Sequence, residues 1–450
     1  MTKVVIICAD DLGREQFQSY GIGGITGPLG VAYPDLSEIE ALKTNGVRLT
    51  NFYVHAFCSP TRASEITGLW PGNSGVGNII ENNNTAPLVE SNLCLPELLG
   101  RLNPGIRRAT IGKLHLSNQQ NGDTDAYRRM GFEFWNGSLR NLPIVTNSYT
   151  TYSYYVNGEL RRAYDYWATR KTTDDAIRYL RKYANDDVYL RVCYNAPHEP
   201  FQRPPAGTYD SVTWVCPDEY PVNQTVTATI RPYFKAMCEN LSYEIGRLLA
   251  EIDFGDTLVF FFADNGTATI PVAGEYNGVS GAYWDGRTKR TVYDGGIRIP
   301  AFARGYGINN TNRDITQLVS VVDLFPTILD LFGLSLPETA RIDGQSFTHL
   351  LEDAPGTDRQ YLLSEIFGPE NGPNAGTTDG RRAVRSATHK LIWIDEAIAD
   401  GPSEFYNLNS DPMELTNLLP GPLSPTDLAE YNAMINWLST QWWASQAGQT

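Results

Sequence analysis

The sequence predicts an α/β fold: a large, mostly parallel sheet sandwiched by helices, with a smaller C-terminal α+β subdomain containing a short antiparallel sheet. Three observations carry this. Apolar runs of strand length alternate with amphipathic stretches of helical period through residues 1–350. The leading strand-like run is continuously apolar, as a parallel strand covered on both faces should be. After about residue 350 the texture changes to a Gly/Pro/Asn-rich stretch and short antiparallel-looking segments, so 351–450 reads as the second unit.

In chain order, Lys3–Ala9 (KVVIICA) is the first buried strand. Residues 35–46 read as a helix, with Asp35 a candidate cap and Gly46 beyond its end. Further strands are expected at Arg108–Ile111, Val188–Tyr194 and Thr257–Ala263, and helices at 172–184, 232–252 and 318–333. Residues 119–170, dense in Tyr, Phe and Trp, read as an insertion and not a core element. Their rings suit either a wall for a sugar or aryl group or simple packing onto the main domain. Past 350, GPENGPNAGTTDG (368–380) is loop, and RRAVRSATHKLIWI and EFYNL form short antiparallel strands. From Thr426 an amphipathic helix bears Trp437, Trp442 and Trp443; docking on the main sheet is expected, with an intermolecular interface as the alternative.

A chain of 450 residues suits two or three units at about 150 residues each. That length buries enough apolar surface to need no disulfide or structural metal. Hydrophobic residues at 42% and charged residues at 19% exclude disorder. Thirty-six basic against 51 acidic residues, a net charge of −15, argue against a nucleic-acid binder and against docking on anionic membranes. No apolar run approaches the ~20 residues of a membrane span. The N-terminus, MTKVVIICADD, is too short for a secretory apolar region and has no cleavage site, so a cytoplasmic location is expected as the sequence stands. A removed leader would make it periplasmic or secreted. Cys8, Cys58, Cys94, Cys193, Cys216 and Cys238 lie far apart without zinc spacing, which argues against a disulfide framework.

The chemistry clusters where apolar runs end. Asp10 and Asp11 follow the first strand, Asp264 and Asn265 follow TLVFFFA, and His198 comes soon after Tyr194. Ligands of open α/β sheets sit beyond the carboxyl ends of strands, so these residues can share one edge. Adjacent carboxylates repel and need a cation or hydrogen bonds. With Asp264 and the Asn265 amide oxygen they make a hard oxygen set for Ca²⁺ or Mg²⁺. Each pair alone reads equally as a turn that caps a helix. Residues 57–68, FCSPTRASEITG, place Cys58 before Ser59–Pro60, where a helix begins because proline is tolerated in the first turn. Its free N–H groups favour an anion, and Arg62 shares the face of Cys58. The plain alternative is a buried thiol beside a surface arginine.

Cys58-Ser59-Pro60-Thr61-Arg62, followed by Thr67-Gly68, resembles the CxPxR…TG motif of the formylglycine-dependent sulfatases of the alkaline phosphatase superfamily. Further matches follow in family order. They are Ala9-Asp10-Asp11-Leu12-Gly13, Gly112-Lys113-Leu114-His115-Leu116, Pro197-His198-Glu199-Pro200-Phe201 and Asp264-Asn265-Gly266. Lys289 then precedes Asp294-Gly295-Gly296, Arg298 and Pro300, and EFYNLNSDPMELTNL closes the series at 404–418. Three departures stand out: Asp294 where Glu is usual, Arg290 where Gly is common, and Glu65 at a usually apolar position.

The resemblance implies a sulfuric ester hydrolase in which Cys58 is converted to formylglycine by a formylglycine-generating enzyme. Hydrated to a gem-diol, residue 58 would attack sulfur in line, leaving a covalent sulfate ester on the protein. It implies that Asp10, Asp11, Asp264 and Asn265, with residue 58, hold a metal, Ca²⁺ before Mg²⁺. Arg62, Lys113 and Lys289 would stabilise the charged oxygens, His198 with Lys289 would protonate the leaving oxygen, and His115 would be the base that expels sulfate. Substrate contacts fall to Lys113, His198 and Lys289. His55, His349 and His389 are assigned to structural roles. A phosphonate or phosphate ester hydrolase of the same superfamily is the alternative, as is a non-catalytic binder of sulfated ligands if Cys58 stays unmodified. The negative surface favours a small or oligomeric sulfated substrate over a long polymer.

Overall fold

A computed structural model describes residues 1–21, 33–81, 87–89, 92–145, 147–221, 223, 225–268, 287–367, 380–394 and 401–446, without the side chains of 227 and 442–446. The described strands and longer helices, in chain order, are as follows. They begin with β1 Lys3–Ala9, α1 Ser37–Thr44, β2 Gly46–Leu49, β3 Phe52–Tyr53, α2 Cys58–Thr67, α3 Leu95–Leu102, β4 Arg107–Gly112, β5 Phe134–Gly137, β6 Tyr152–Val156 and β7 Glu159–Ala163. Next come α4 Ala168–Lys182, β8 Val188–Cys193, α5 Thr227–Leu249, β9 Thr257–Ala263, β10 Ala301–Gly305, β11 Arg313–Ile315 and β12 Val319–Ser320. The chain closes with α6 Leu324–Leu331, β13 Leu362–Ile366, β14 Arg381–Arg385, β15 His389–Ile394, β16 Glu404–Asn407 and α7 Pro425–Gln446.

The main sheet runs in the order β11-β2-β10-β9-β1-β8-β4-β5-β6-β7. Its centre, β9-β1-β8-β4-β5, is parallel throughout. Every residue of β1, β8 and β9 is buried, which is why these segments read as unbroken apolar runs. The charges inside them, Lys3 at the start of β1 and Arg191 of β8, are buried and paired with Asp256 and Glu65, as charges there must be.

Residues 119–170 are not separate from the core. β5 pairs parallel with β4, and the β6–β7 hairpin continues the same sheet. Trp135 and Tyr149 are completely buried, and Trp135 stacks on Tyr155 at 5.5 Å. Aromatic residues in place of aliphatic ones disguised β5 and β6, and the mostly exposed ELRRA of β7 carries no apolar run. The helix expected at 318–333 begins only at Leu324. Val319–Ser320 instead pairs with Phe52–Tyr53, and the Asp323 carboxylate accepts the Ser320 N–H at 2.8 Å, setting the later start. The helix expected at 35–46 spans Ser37–Thr44, with Asp35 Oδ1 accepting the Ser37 N–H at 2.9 Å.

The second sheet is antiparallel, β13-β14-β15-β16. Helix α7 packs on this sheet and not on the main one, its Met434 and Leu438 buried in the same cluster as Leu391 and Phe405. That cluster also takes in Ala56, Phe57 and Val292 of the main unit, so the second sheet backs the segments beside Cys58 and Lys289. The loop expected at 368–380 falls almost wholly outside the described residues, as do the side chains of Trp442 and Trp443. All six cysteines are unpaired and buried.

Candidate active site

Strand register assembles the site. Ala9 is level with Ala263, Cys8 with Cys193, and Gly112 with Cys193, so four strands end at nearly one height. The next residues, Asp10, Asp264 and Lys113, therefore emerge side by side. Helix α2 delivers Cys58 as its first residue, from an extended Phe57. The Cys58 thiol donates to Asp10 Oδ1 at 3.3 Å. Lys113 Nζ donates to Asp10 Oδ2. Arg62 donates twice to Asp264 Oδ2, at 3.1 and 2.8 Å, and once to the Lys113 carbonyl at 3.1 Å. Lys289 Nζ donates to Asp11 Oδ2 at 2.7 Å, and His198 Nε2 lies 3.7 Å from the same carboxylate. No residue of this set, Asn265 and His115 included, is more than 7% exposed.

The electrostatics follow from that burial. For Asp10, burial opposes ionisation, but Lys113, His198, Arg62 and Lys289 overcome it and hold the carboxyl well below the usual carboxylate range. Asp264 is pushed up to about 6, by burial first and then by the charge of Asp10. Burial, with Asp10 and Asp264, pushes the Cys58 thiol up. His115 is pushed down, by burial and then by Lys113 and Arg62, and is therefore neutral. Neither of its ring nitrogens has a hydrogen-bond partner among the described residues, and its backbone is left-handed at φ 56°. His198 donates through Nδ1 to the Glu199 carbonyl at 2.8 Å, leaving Nε2 as the nitrogen that faces the cluster.

A hard cation fits these residues. One ligand atom each from Asp10, Asp11, Cys58 and Asp264 lies within 4.8 Å of all the others. Asn265 spends both amide hydrogens, on Asp11 Oδ1 at 2.7 Å and the Gly266 carbonyl at 2.9 Å, so its Oδ1 is buried without a partner. A buried amide oxygen left without a donor beside three carboxylates is what an oxygen-ligated divalent ion satisfies.

All ten residues singled out in the sequence converge here. His55 does not join the cluster; it bonds Ser64 at 2.9 Å and Ser364 at 3.3 Å, tying α2 to the second sheet. His349 and His389 bond Asp358 and Asp427. Two supports gave no sequence signal. Tyr149 donates from its hydroxyl towards the His198 carbonyl at 2.7 Å, across 49 residues. Arg191 makes a two-pronged contact with Glu65, 2.7 and 2.6 Å, pinning α2 to the sheet with both side chains fully buried. This explains the charge at a usually apolar position. Arg191→Met is expected to lose about 3–5 kcal/mol of stability, because Glu65 is left buried and uncompensated. Glu65→Leu added to it should recover most of the loss in denaturant titrations; a single substitution that costs under about 1 kcal/mol would show the pair to be unimportant.

A buried oxygen-ligand cluster, a helix N-terminus and three cations define a hydrolase of anionic esters at the carboxyl edge of an α/β sheet. A family model named Sulfatase matches residues 2–334, and one for the C-terminal part of N-sulphoglucosamine sulphohydrolase matches 282–435. The chain belongs to the sulfatase family and is a sulfuric ester hydrolase. It is 27% identical over 420 residues to an uncharacterized sulfatase of Escherichia coli K12, covering 82% of this chain and 70% of that protein. It is also 27% identical over 440 residues to an ulvan-active sulfatase of Formosa agariphila, covering 92% and 77%. A solved structure in complex with k-i-k-neocarrahexaose shares the fold at TM-score 0.76 and 18% identity, covering 98% of this chain and 92% of that one. Another, in complex with its substrate D-glucosamine-2-N,6-O-disulfate, does so at 0.70 and 17%, covering 99% and 98%. Among the described residues no helix is long and apolar enough to cross a membrane.

Proposed function

We propose that this chain hydrolyses the sulfate ester of a carbohydrate through formylglycine made from Cys58. The observation that carries it is the placement of Cys58 at a helix N-terminus, 3.3 Å from Asp10 inside the buried cluster. A formylglycine-generating enzyme is the implied maturation partner. Cys58, Pro60 and Arg62 are buried in the folded chain, so conversion has to precede folding. The hydrated aldehyde supplies the attacking hydroxyl. A divalent cation, Ca²⁺ by its tolerance of an irregular oxygen set, supplies Lewis-acid charge, held by Asp10, Asp11, Asp264 and Asn265 with residue 58.

The chain's own groups do the rest. Asp10, Asp11 and Asp264 cancel Arg62, Lys113 and Lys289 in charge, so a divalent ion tips the site positive and draws in an anion despite the surface charge of −15. Arg62 and Lys113 hold position 58 and its oxygens, while Lys289 and His198 face the side on which the leaving oxygen takes a proton. His115, neutral and unpartnered, is suited to remove a proton from residue 58 and release sulfate. Sulfated sugars are favoured because relatives and fold neighbours include an ulvan-active sulfatase and saccharide complexes.

The test is a matched panel of sulfate, phosphate and phosphonate esters, with sulfated mono- and oligosaccharides, on protein matured with the converting enzyme. Sulfate release from at least one sugar is expected; preference for the phosphonate would overturn the reading.

A further inference from the structure

Eleven described residues other than glycine have a positive φ. Eight are Asn or Asp, which adopt that conformation readily. The others are His115, Glu414 and Arg290. His115 belongs to the site. Glu414 is buried and receives Lys390 Nζ at 2.6 Å and the Asp294 N–H at 2.7 Å, which holds its backbone in place. Arg290 has no such account. Its φ is 76°, its side chain is exposed, and its guanidinium makes no ion pair or hydrogen bond among the described residues. Strain of this kind costs stability, persists where the surrounding structure enforces it, and clusters at active sites and ligand clamps. Glycine would sit there without strain.

Its place in the site is fixed by the backbone. The Arg290 N–H donates to the Ala56 carbonyl at 3.0 Å, two residues before Cys58, and its neighbour Lys289 reaches Asp11 at 2.7 Å. An exposed guanidinium, unpaired among the described residues, thus leaves the chain beside the reacting centre, on a protein with 15 excess negative charges. A cation there matches an anion that the described residues do not supply. A planar guanidinium, with paired N–H donors, suits a sulfate or carboxylate and not a hydroxyl.

We infer that Arg290 is a specificity-determining residue that binds a second anionic group, sulfate or carboxylate, on a saccharide whose scissile sulfate occupies the Cys58 centre. The inference rests on the sulfatase reading above and narrows its substrate class to sugars with two or more negative charges.

The test uses Cys58→Ala protein, which cannot turn over, with calorimetry of D-glucosamine 6-O-sulfate and D-glucosamine-2-N,6-O-disulfate. A monosulfated disaccharide with a free uronic acid, and its methyl ester, forms the carboxylate arm. With Arg290 present, the doubly charged member of a pair should bind roughly tenfold tighter, and Arg290→Gly should erase that ratio. Arg290→Lys should restore only part of it, since the charge returns without the paired donors. Arg290→Gly relieves the backbone, so its melting temperature should hold or rise, which separates lost recognition from lost folding. An unchanged ratio in both pairs, with binding intact, overturns this inference alone. Binding of none of the four sugars, with no sulfated sugar turned over by the matured enzyme, overturns the saccharide reading and this inference together.

Discussion

Cys58→Ala in matured protein is expected to lower kcat by about 10⁴-fold or more while the protein stays folded. Removing the nucleophile of an enzyme that works through a covalent intermediate leaves only the rate supplied by binding and fixed charge. The site would keep Arg62, Lys113 and Lys289, so substrate affinity should survive. The structural cost is small, since the substitution removes only the small polar group on Cα of residue 58, whose unconverted thiol contacts Asp10 at 3.3 Å, and leaves α2 anchored by Arg191 and Glu65. Steady-state kinetics beside circular dichroism checks both parts. The peptide carrying residue 58 should show aldehyde in the active parent by mass spectrometry. Activity in Cys58→Ala within tenfold of the parent would sink the covalent role.

Chelation is expected to remove activity and lower the melting temperature, and Ca²⁺ to restore both. Without a cation, Asp10, Asp11, Asp264 and the Asn265 oxygen crowd one buried volume. A ligand at 100 times its Kd adds about 2.7 kcal/mol to the folded state. Mg²⁺ should restore less, because it requires near-octahedral geometry and keeps its waters. Asp264→Asn should act through two routes. It removes a ligand charge, and it leaves the buried Arg62 with only the Asp10 carboxylate, 3.8 Å away, to balance its charge, at a cost of about 3–5 kcal/mol. If chelated protein keeps full activity and its melting temperature, the cation has no part in the site.

The strands with one continuous apolar run, β1 and β9, match their expected spans residue for residue, because burial on both faces writes itself directly into local sequence. Polar motifs at strand ends were equally legible: Asp10-Asp11, Asp264-Asn265 and Cys58-x-Pro60-x-Arg62 each require their residue types within one turn. Where a signal depended on partners distant in sequence, the reading failed. β5 and β6 hid behind aromatic residues, β7 is too polar and exposed to read as a strand, and the start of α6 depended on a strand pairing with Phe52 and Tyr53. The docking of α7 rests on Met434 and Leu438 meeting Leu391 and Phe405 of the second sheet, a contact that no local pattern announces.

The sequence by itself thus determined the fold class and a set of polar residues at strand ends, since both rest on residue chemistry and local period, while the proposed role of Cys58 came from its resemblance to a family motif. Only the tertiary structure decided how they act together. Register alone sets Asp10 beside Asp264 and Lys113, and long-range contacts alone supply Tyr149 to the His198 carbonyl and Arg191 to Glu65. The same holds for Arg290, whose identity is plain in the sequence but whose left-handed backbone and exposed side chain are not. Pairing across hundreds of residues is fixed by the packing of the whole chain, and no local pattern encodes it.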